Sequence, residues 1–228
     1  MTTHAASAAS VRVDAVLTGT AVALRGAERS AISKMIVDRP VRVTRLGLEG
    51  DEQADLSVHG GPDKAVHHYA FDHYALWRSK APTHPKLSTA GSFGENISTL
   101  GLTETTVCIG DRFRLGTALV EVSQPRQPCW KQAHVMEWTT LPKIMVREAK
   151  SGWYYRVIEE GVVAAGDIMT LETRPHPAWS VARAFSLVMH NTASPDLEAL
   201  SAMARLAVLE KEWRLMAAAL CASGLPID

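Results

Sequence analysis

The sequence has 228 residues, 46% of them hydrophobic, with 24 Lys plus Arg set against 24 Asp plus Glu. That length supports one sizeable core and a small satellite, and balanced charge gives no field that gathers nucleic acid or an anionic membrane surface. No apolar run reaches the roughly 18 residues that span a bilayer, and the N-terminus lacks the basic and apolar regions of a secretory leader. No nucleic acid, no membrane and a cytoplasmic location are therefore expected. The three cysteines, Cys108, Cys129 and Cys221, form no CxxC pair and are odd in number, which argues against a disulfide framework or a structural zinc site.

From Val11 to about Glu172 the chain reads as short strands broken by turns. "VRVDAVLTG" (11 to 19) alternates at period two, and "MIVD" (35 to 38) and "VRVTRLGL" (41 to 48) come after it. "DHYALWRSKA" (72 to 81) reads as an amphipathic helix. "TVCIGDRFRLG" and "ALVEVSQ", separated by Gly116 and Thr117, suggest a meander around a Gly110–Asp111 turn, with Cys108 in a strand facing the core. "TTLPKIMVREAK" (139 to 150) is a second amphipathic helix, stopped near Gly152.

"TRPHPAWS" (173 to 180) carries two prolines and marks the expected boundary, dividing residues 1–174 from residues 175–228. Beyond it, residues 180 to 191, 194 to 206 and 209 to 224 are helix-periodic, with Ser194 as N-cap, Pro195 at the first helical position and Gly224 as the stop. Met189, Met203, Met216 and Trp213 are expected in the core of this three-helix tail, and Cys221 as an inert small hydrophobe. About 50 residues seldom bury enough apolar area alone. Trp179, Phe185 and Trp213 should therefore pack against the β domain or against a second protomer in a homodimer.

Three segments carry the chemistry. In "VSQPRQPCWK" (122 to 131), Pro125 and Pro128 stiffen the chain around Cys129, while Arg126 and Lys131 place positive charge nearby in sequence. Such a setting favours the thiolate. "GLEGDEQADLSVHGGPDKAVHHY" (47 to 69) places His59, Asp63, Lys64, His67 and His68 among four glycines, as loops serving a site do. It is neither a P-loop nor an HExxH zinc helix. His67 and His68 are adjacent, so at most one of them points into a pocket. "GSFGENISTLGLTE" (91 to 104) offers Glu95 and Asn96 after Gly94.

"SAISKMIVD", "LGLEGDEQADLSVHGGPDKAVHHY", "FGENISTLGLTETTVCIGDRFRLG" and "VSQPRQPCWK" together resemble MOSC domain proteins of the YiiM type. The family is named for the C-terminal domain of molybdenum cofactor sulfurases. The likeness covers about residues 27–172, and the helical tail is similar to the small C-terminal domain of YiiM-type members. The resemblance implies a mainly β fold, a MOSC β-barrel like the β-barrel insert of pyruvate kinase, that binds the molybdenum cofactor (molybdopterin). It implies that Cys129 ligates the metal and that the protein reduces N-hydroxylated compounds, hydroxylaminopurine-type base analogues among them, to amines. A soft thiolate suits that centre, and flanking prolines fix its direction.

On that basis His59 is the candidate for proton delivery. Arg126, Lys34 and Lys64 are candidates for phosphate or pterin contacts, and Glu95 with Asn96 for the pterin edge. The sequence shows no dinucleotide fingerprint, cluster-ligating cysteines or flavin motif, so electrons are expected from a separate reductase. Two other readings stand beside this one: a sulfur carrier bearing a persulfide on Cys129, and a non-catalytic binding module.

Overall fold

The computed structural model describes residues 10–54, 60–190 and 194–223. In chain order its strands are β1 (Ser10–Thr18), β2 (Val22–Arg25), β3 (Glu28–Ser30), β4 (Met35–Ile36), β5 (Val41–Thr44), β6 (Gly47–Leu48), β7 (Val66–Ala70), β8 (Ile97–Thr99), β9 (Arg112–Leu115), β10 (Ala118–Pro125), β11 (Trp153–Glu159), β12 (Gly161–Val163) and β13 (Ile168–Thr173). The helices are α1 (His73–Lys80), α2 (Trp130–Val135), α3 (Leu141–Glu148), α4 (Val181–Met189), α5 (Leu197–Ala204) and α6 (Lys211–Ser223).

Seven strands close on themselves. The order runs β13-β9-β10-β11-β7-β8-β1, and β1 returns to pair with β13, which removes both sheet edges. Every pairing in the ring is antiparallel except β7 with β8. Period-two alternation decides which side chains fill the interior: in β11, Trp153, Tyr155 and Val157 are buried while Tyr154 and Arg156 are partly exposed. Phe113 and Leu115 of β9 point inward in the same way and Arg112 and Arg114 outward. Outside the ring, β5, β6 and β12 form one small sheet and β2 with β3 a hairpin.

A second apolar cluster lies under α1 and α3. Tyr69, Tyr74, Trp77, Phe93, Leu141 and Met145 meet there, with Phe93 stacked on Tyr69 at 4.1 Å between ring centres. The tail is not separately cored. Val181, Ala184, Phe185, Leu200, Met203 and Trp213 belong to the same apolar cluster as barrel residues Val13, Val120 and Tyr155, and the rings of Phe185 and Trp213 lie 6.1 Å apart. The proline-marked boundary is thus a change of secondary structure, with the core continuous across it.

Some local expectations change. Cys108 sits in a turn, with only an isolated bridge to Ser180. Asp111 does bond its own turn, accepting from the Cys108 N–H at 2.9 Å, but the hairpin between β9 and β10 reverses at Gly116 and Thr117 instead, where Gly116 has φ +58°. The run from Val41 to Leu48 folds back as β5 and β6. Asp196, not Ser194, caps α5, accepting from the Ala199 N–H at 2.9 Å, so Pro195 precedes the helix. Gly224 lies outside the described residues. Helix α2, directly after Cys129, had no counterpart in the sequence pattern, because six residues carry too little periodicity to register.

Candidate active site

One cleft of about 670 Å³, open mouth included, gathers residues from six separate stretches of chain, Cys129, Arg126, Lys34, Lys64, Asn96, His67, Asp51, Tyr154, Gln127 and Lys131 among them. Its floor is laid by the end of β10 and the segment leading into α2. β10 is buried along its whole length, and the chain leaves it with the Arg126 N–H donating to the Gly152 carbonyl at 3.0 Å. The Arg126 guanidinium, 5% exposed, donates to Gln132 Oε1 on α2 at 2.7 Å. Cys129 is therefore held between two anchors, in extended backbone (φ −121°, ψ 160°) at the start of α2, with its thiol half-buried.

The neighbouring cations have partners of their own. Lys131 bonds the Arg29 carbonyl at 3.0 Å and Glu28 at 3.1 Å, tying the floor to the β2–β3 hairpin. Lys64, on the turn before β7, pairs with Glu212 of α6 at 3.4 Å. Gln127 donates to Met216 Sδ at 3.3 Å. Through Glu212 and Met216 the tail supports two residues of the cleft without lining it itself.

A buried polar network makes the opposite wall. Lys34 bonds both oxygens of Asp51, and the two side chains are 8% and 1% exposed. Asp51 also accepts from the Gly19 N–H at 2.9 Å and from Asn96 Nδ2 at 2.9 Å. Asn96 Nδ2 donates to the Leu17 carbonyl at 3.1 Å and its Oδ1 accepts from the His67 N–H at 3.0 Å. Asn96 lines the cleft with its amide already engaged by protein. Burial lowers the Lys34 amine from its ordinary range, with Asp51 and then Glu95 pulling the other way.

Glu95 is not among the lining residues. Its carboxylate accepts from Tyr74 Oη at 2.6 Å, the Gly91 N–H at 2.7 Å and the Phe93 N–H at 2.9 Å. It fixes the loop that presents Phe93 and Gly94 to the cleft, a supporting task in place of the pterin contact expected of it. His59 lies outside the described residues.

The adjacent histidines divide as strand geometry requires. His67 lines the cleft and is 3% exposed, and its Nε2 has no hydrogen-bond partner among the described residues. Burial and then the Arg126 charge hold its ring well below the usual histidine range, so it is neutral. His68 points into the barrel, where it bonds Tyr155 Oη and Thr99 Oγ1, each at 3.0 Å. Tyr154 faces the cleft floor; burial raises its hydroxyl, against the pull of Arg126 and with that of Cys129.

Gly152 makes this arrangement possible. It has φ +79°, and a Cβ there would lie 2.3 Å from the His68 carbonyl oxygen and 2.8 Å from His67 Nε2. Its own N–H donates to Glu104 Oε1 at 2.7 Å. Gly152→Ala should cost about 2 to 3 kcal/mol, from overpacking and a left-handed backbone together. Urea denaturation at neutral pH measures it, and a loss below about 0.5 kcal/mol would contradict the close approach of these backbones.

Sequence reading brought Cys129, Arg126, Lys34, Lys64 and Asn96 forward, and the fold does bring these five together. It missed Asp51, Tyr154, Gln127 and the wall role of Lys131. Asp51 lay inside the flagged "GLEGDEQADLS" run; Tyr154 had no signal beyond strand alternation. Among the described residues no three His, Cys, Asp or Glu side chains gather into a metal-holding group.

The MOSC domain family model matches residues 55–170. The chain is 46% identical over 159 residues to Protein YiiM of Escherichia coli (strain K12), covering 70% of this chain and 71% of that one. The chain belongs to the MOSC domain family. The crystal structure of YiiM from Geobacillus stearothermophilus superposes with a TM-score of 0.77 at 34% identity, covering 92% of this chain and 98% of that one. A protein of Gibberella moniliformis named Reductase is 40% identical over 176 residues, covering 77% of this chain. This MOSC chain spans only 31% of that longer protein. The family model begins later than the resemblance at about residue 27 suggested, although β1 to β6 all precede its start.

Proposed function

We propose that this MOSC protein is a molybdenum-cofactor-dependent oxidoreductase that reduces small N-hydroxylated compounds to amines, fed by a separate electron-donating reductase. The observation that carries the reading is the half-buried Cys129 thiol in a cleft also lined by Lys34, Lys64, Arg126 and Lys131. The residues fit the group. A soft thiolate complements a metal that brings its own dithiolene, and an anionic phosphate complements clustered cations. Cys129 would hold the metal, and Arg126, Lys64 and Lys131 the phosphate end. When bound, the cofactor supplies the two-electron redox chemistry. Arg126 keeps a permanent charge beside Tyr154, and neutral His67 offers a ring nitrogen for a ligand donor. The relative named Reductase supports an oxidoreductase assignment.

The half-exposed position of Cys129 also suits a sulfur carrier, which would hold a persulfide there. Expression in a host that makes the cofactor separates the two. The expected result is equimolar molybdenum and pterin, with reduction of a hydroxylaminopurine by viologen-supplied electrons. Metal-free protein carrying a Cys129 persulfide would overturn the reading in favour of the carrier.

A further inference from the structure

The reduction proposed above consumes protons as well as electrons. R–NHOH takes two electrons and two protons to give R–NH₂ and water; the N–O bond breaks and the oxygen leaves. The electrons come from the reduced cofactor, which the external reductase restores. A proton donor at the departing oxygen has to be charged or acidic, face the cleft and survive loss of its proton.

Most of the lining fails one of these conditions. His67 is held neutral by burial and Arg126. Tyr154 is pushed above the usual phenol range, which makes it a weaker acid. Arg126 does not release a proton in proteins. Lys64 and Lys131 are engaged by Glu212 and by Glu28 with the Arg29 carbonyl, and they are the residues assigned above to the phosphate end.

Lys34 meets all three. Its ammonium has three N–H donors; Asp51 takes two of them, one on each oxygen, and no second acceptor engages Lys34 Nζ among the described residues. It lines the cleft. Asp51 would not be stranded when Lys34 gives up a proton, because the Gly19 N–H and Asn96 Nδ2 continue to bond its carboxylate. We infer that Lys34 delivers a proton to the oxygen that leaves an N-hydroxylated substrate, and that Asp51 is the positioning residue holding its amine at the cleft; the inference rests on the reductase reading. The second proton comes from solvent, as does the one that recharges the Lys34 amine through the open mouth. Burial that lowers the amine from its ordinary range makes it the better acid.

The test uses cofactor-loaded protein and two readouts, molybdenum and pterin content and the turnover of a hydroxylaminopurine. Lys34→Met and Lys34→Ala should keep wild-type cofactor content while turnover falls about 100-fold or more, and ethylammonium should restore part of the rate of Lys34→Ala. Lys34→Arg, with the charge kept and no proton to give, should be equally slow. Because Lys34→Met leaves Asp51 without its main partner, the double variant Lys34→Met/Asp51→Asn carries the test if the single variant does not fold. Lys34→Arg at the wild-type rate would overturn the proposal, since charge alone would then suffice. Cofactor lost in step with turnover would overturn it too, making Lys34 a holder of the group. A wild-type protein that binds no molybdenum or reduces no N-hydroxy compound would bring down the reductase reading itself; an active wild type with an equally active Lys34→Met would bring down only the role of Lys34.

Discussion

Cys129→Ser should lose molybdenum and reduce N-hydroxylated compounds more than about 100-fold more slowly, with a melting temperature close to the wild type's. The activity loss comes from replacing a soft thiolate by a hard, protonated hydroxyl at the only protein ligand proposed for the metal. The intact fold comes from the backbone: Cys129 occupies the residue before α2 in extended conformation and makes no capping bond there. Serine is favoured at that position. Cys108→Ser and Cys221→Ser are the controls. Their sulfurs donate to the Pro177 and Leu197 carbonyls at 3.6 Å, bonds that a serine hydroxyl can also make, so these variants should shift stability by about 1 kcal/mol or less and leave activity unchanged. Reconstituted Cys129→Ser that keeps most of the wild-type rate would remove the thiol from the metal.

Mild acid should destabilise this protein. His68 is fully buried between Tyr155, Thr99 and Trp153, whose ring centre lies 4.4 Å away, and among the described residues no carboxylate balances a charge there. Burial lowers its pKa from 6.5 to about 3. The sign is set by proton counting. Between these two values the unfolded chain holds a proton on this residue that the folded chain refuses, so stability is complete above pH 6.5 and falls as the pH drops towards 3. The slope is about 1.4 kcal/mol per pH unit from His68 alone, or about 3 kcal/mol by pH 4.5. His67, buried and lowered as well, adds in the same direction. Urea midpoints measured from pH 7.5 to 4.5 would show it, and His68→Gln should flatten the curve. Equal stability across that range would contradict the neutral, buried imidazole.

The parts of the fold that were legible in the sequence are those in which one physical signal dominates. Period two in "VRVDAVLTG" found β1, and 3.6-residue periodicity with a proline-rich break found the three tail helices. The site was legible where unusual residues crowd together, as around Cys129. It was not legible where function depends on which partner a residue meets. Glu95 and Asn96 looked alike as polar loop residues, yet Glu95 turns inward to Tyr74 and the Gly91 and Phe93 amides while Asn96 reaches the cleft wall. Asp51 meets Lys34 across 17 residues, and no local pattern announces a pair formed at that distance.

The closing of the ring has a consequence for how the chain acquires its structure. β1 pairs with β8 and β13, and Ser10 Oγ meets Thr170 Oγ1 across 160 residues of intervening sequence. A ribosome releasing this chain frees its first strand long before either neighbour exists. Contacts so remote in sequence make folding slow, and an unpaired apolar strand waiting for its partner is the kind of surface that draws aggregation or a chaperone. A fragment starting at residue 55, where the family match begins, would lack β1 altogether and leave β8 and β13 as open edges. Such a fragment is expected to aggregate where the longer chain folds.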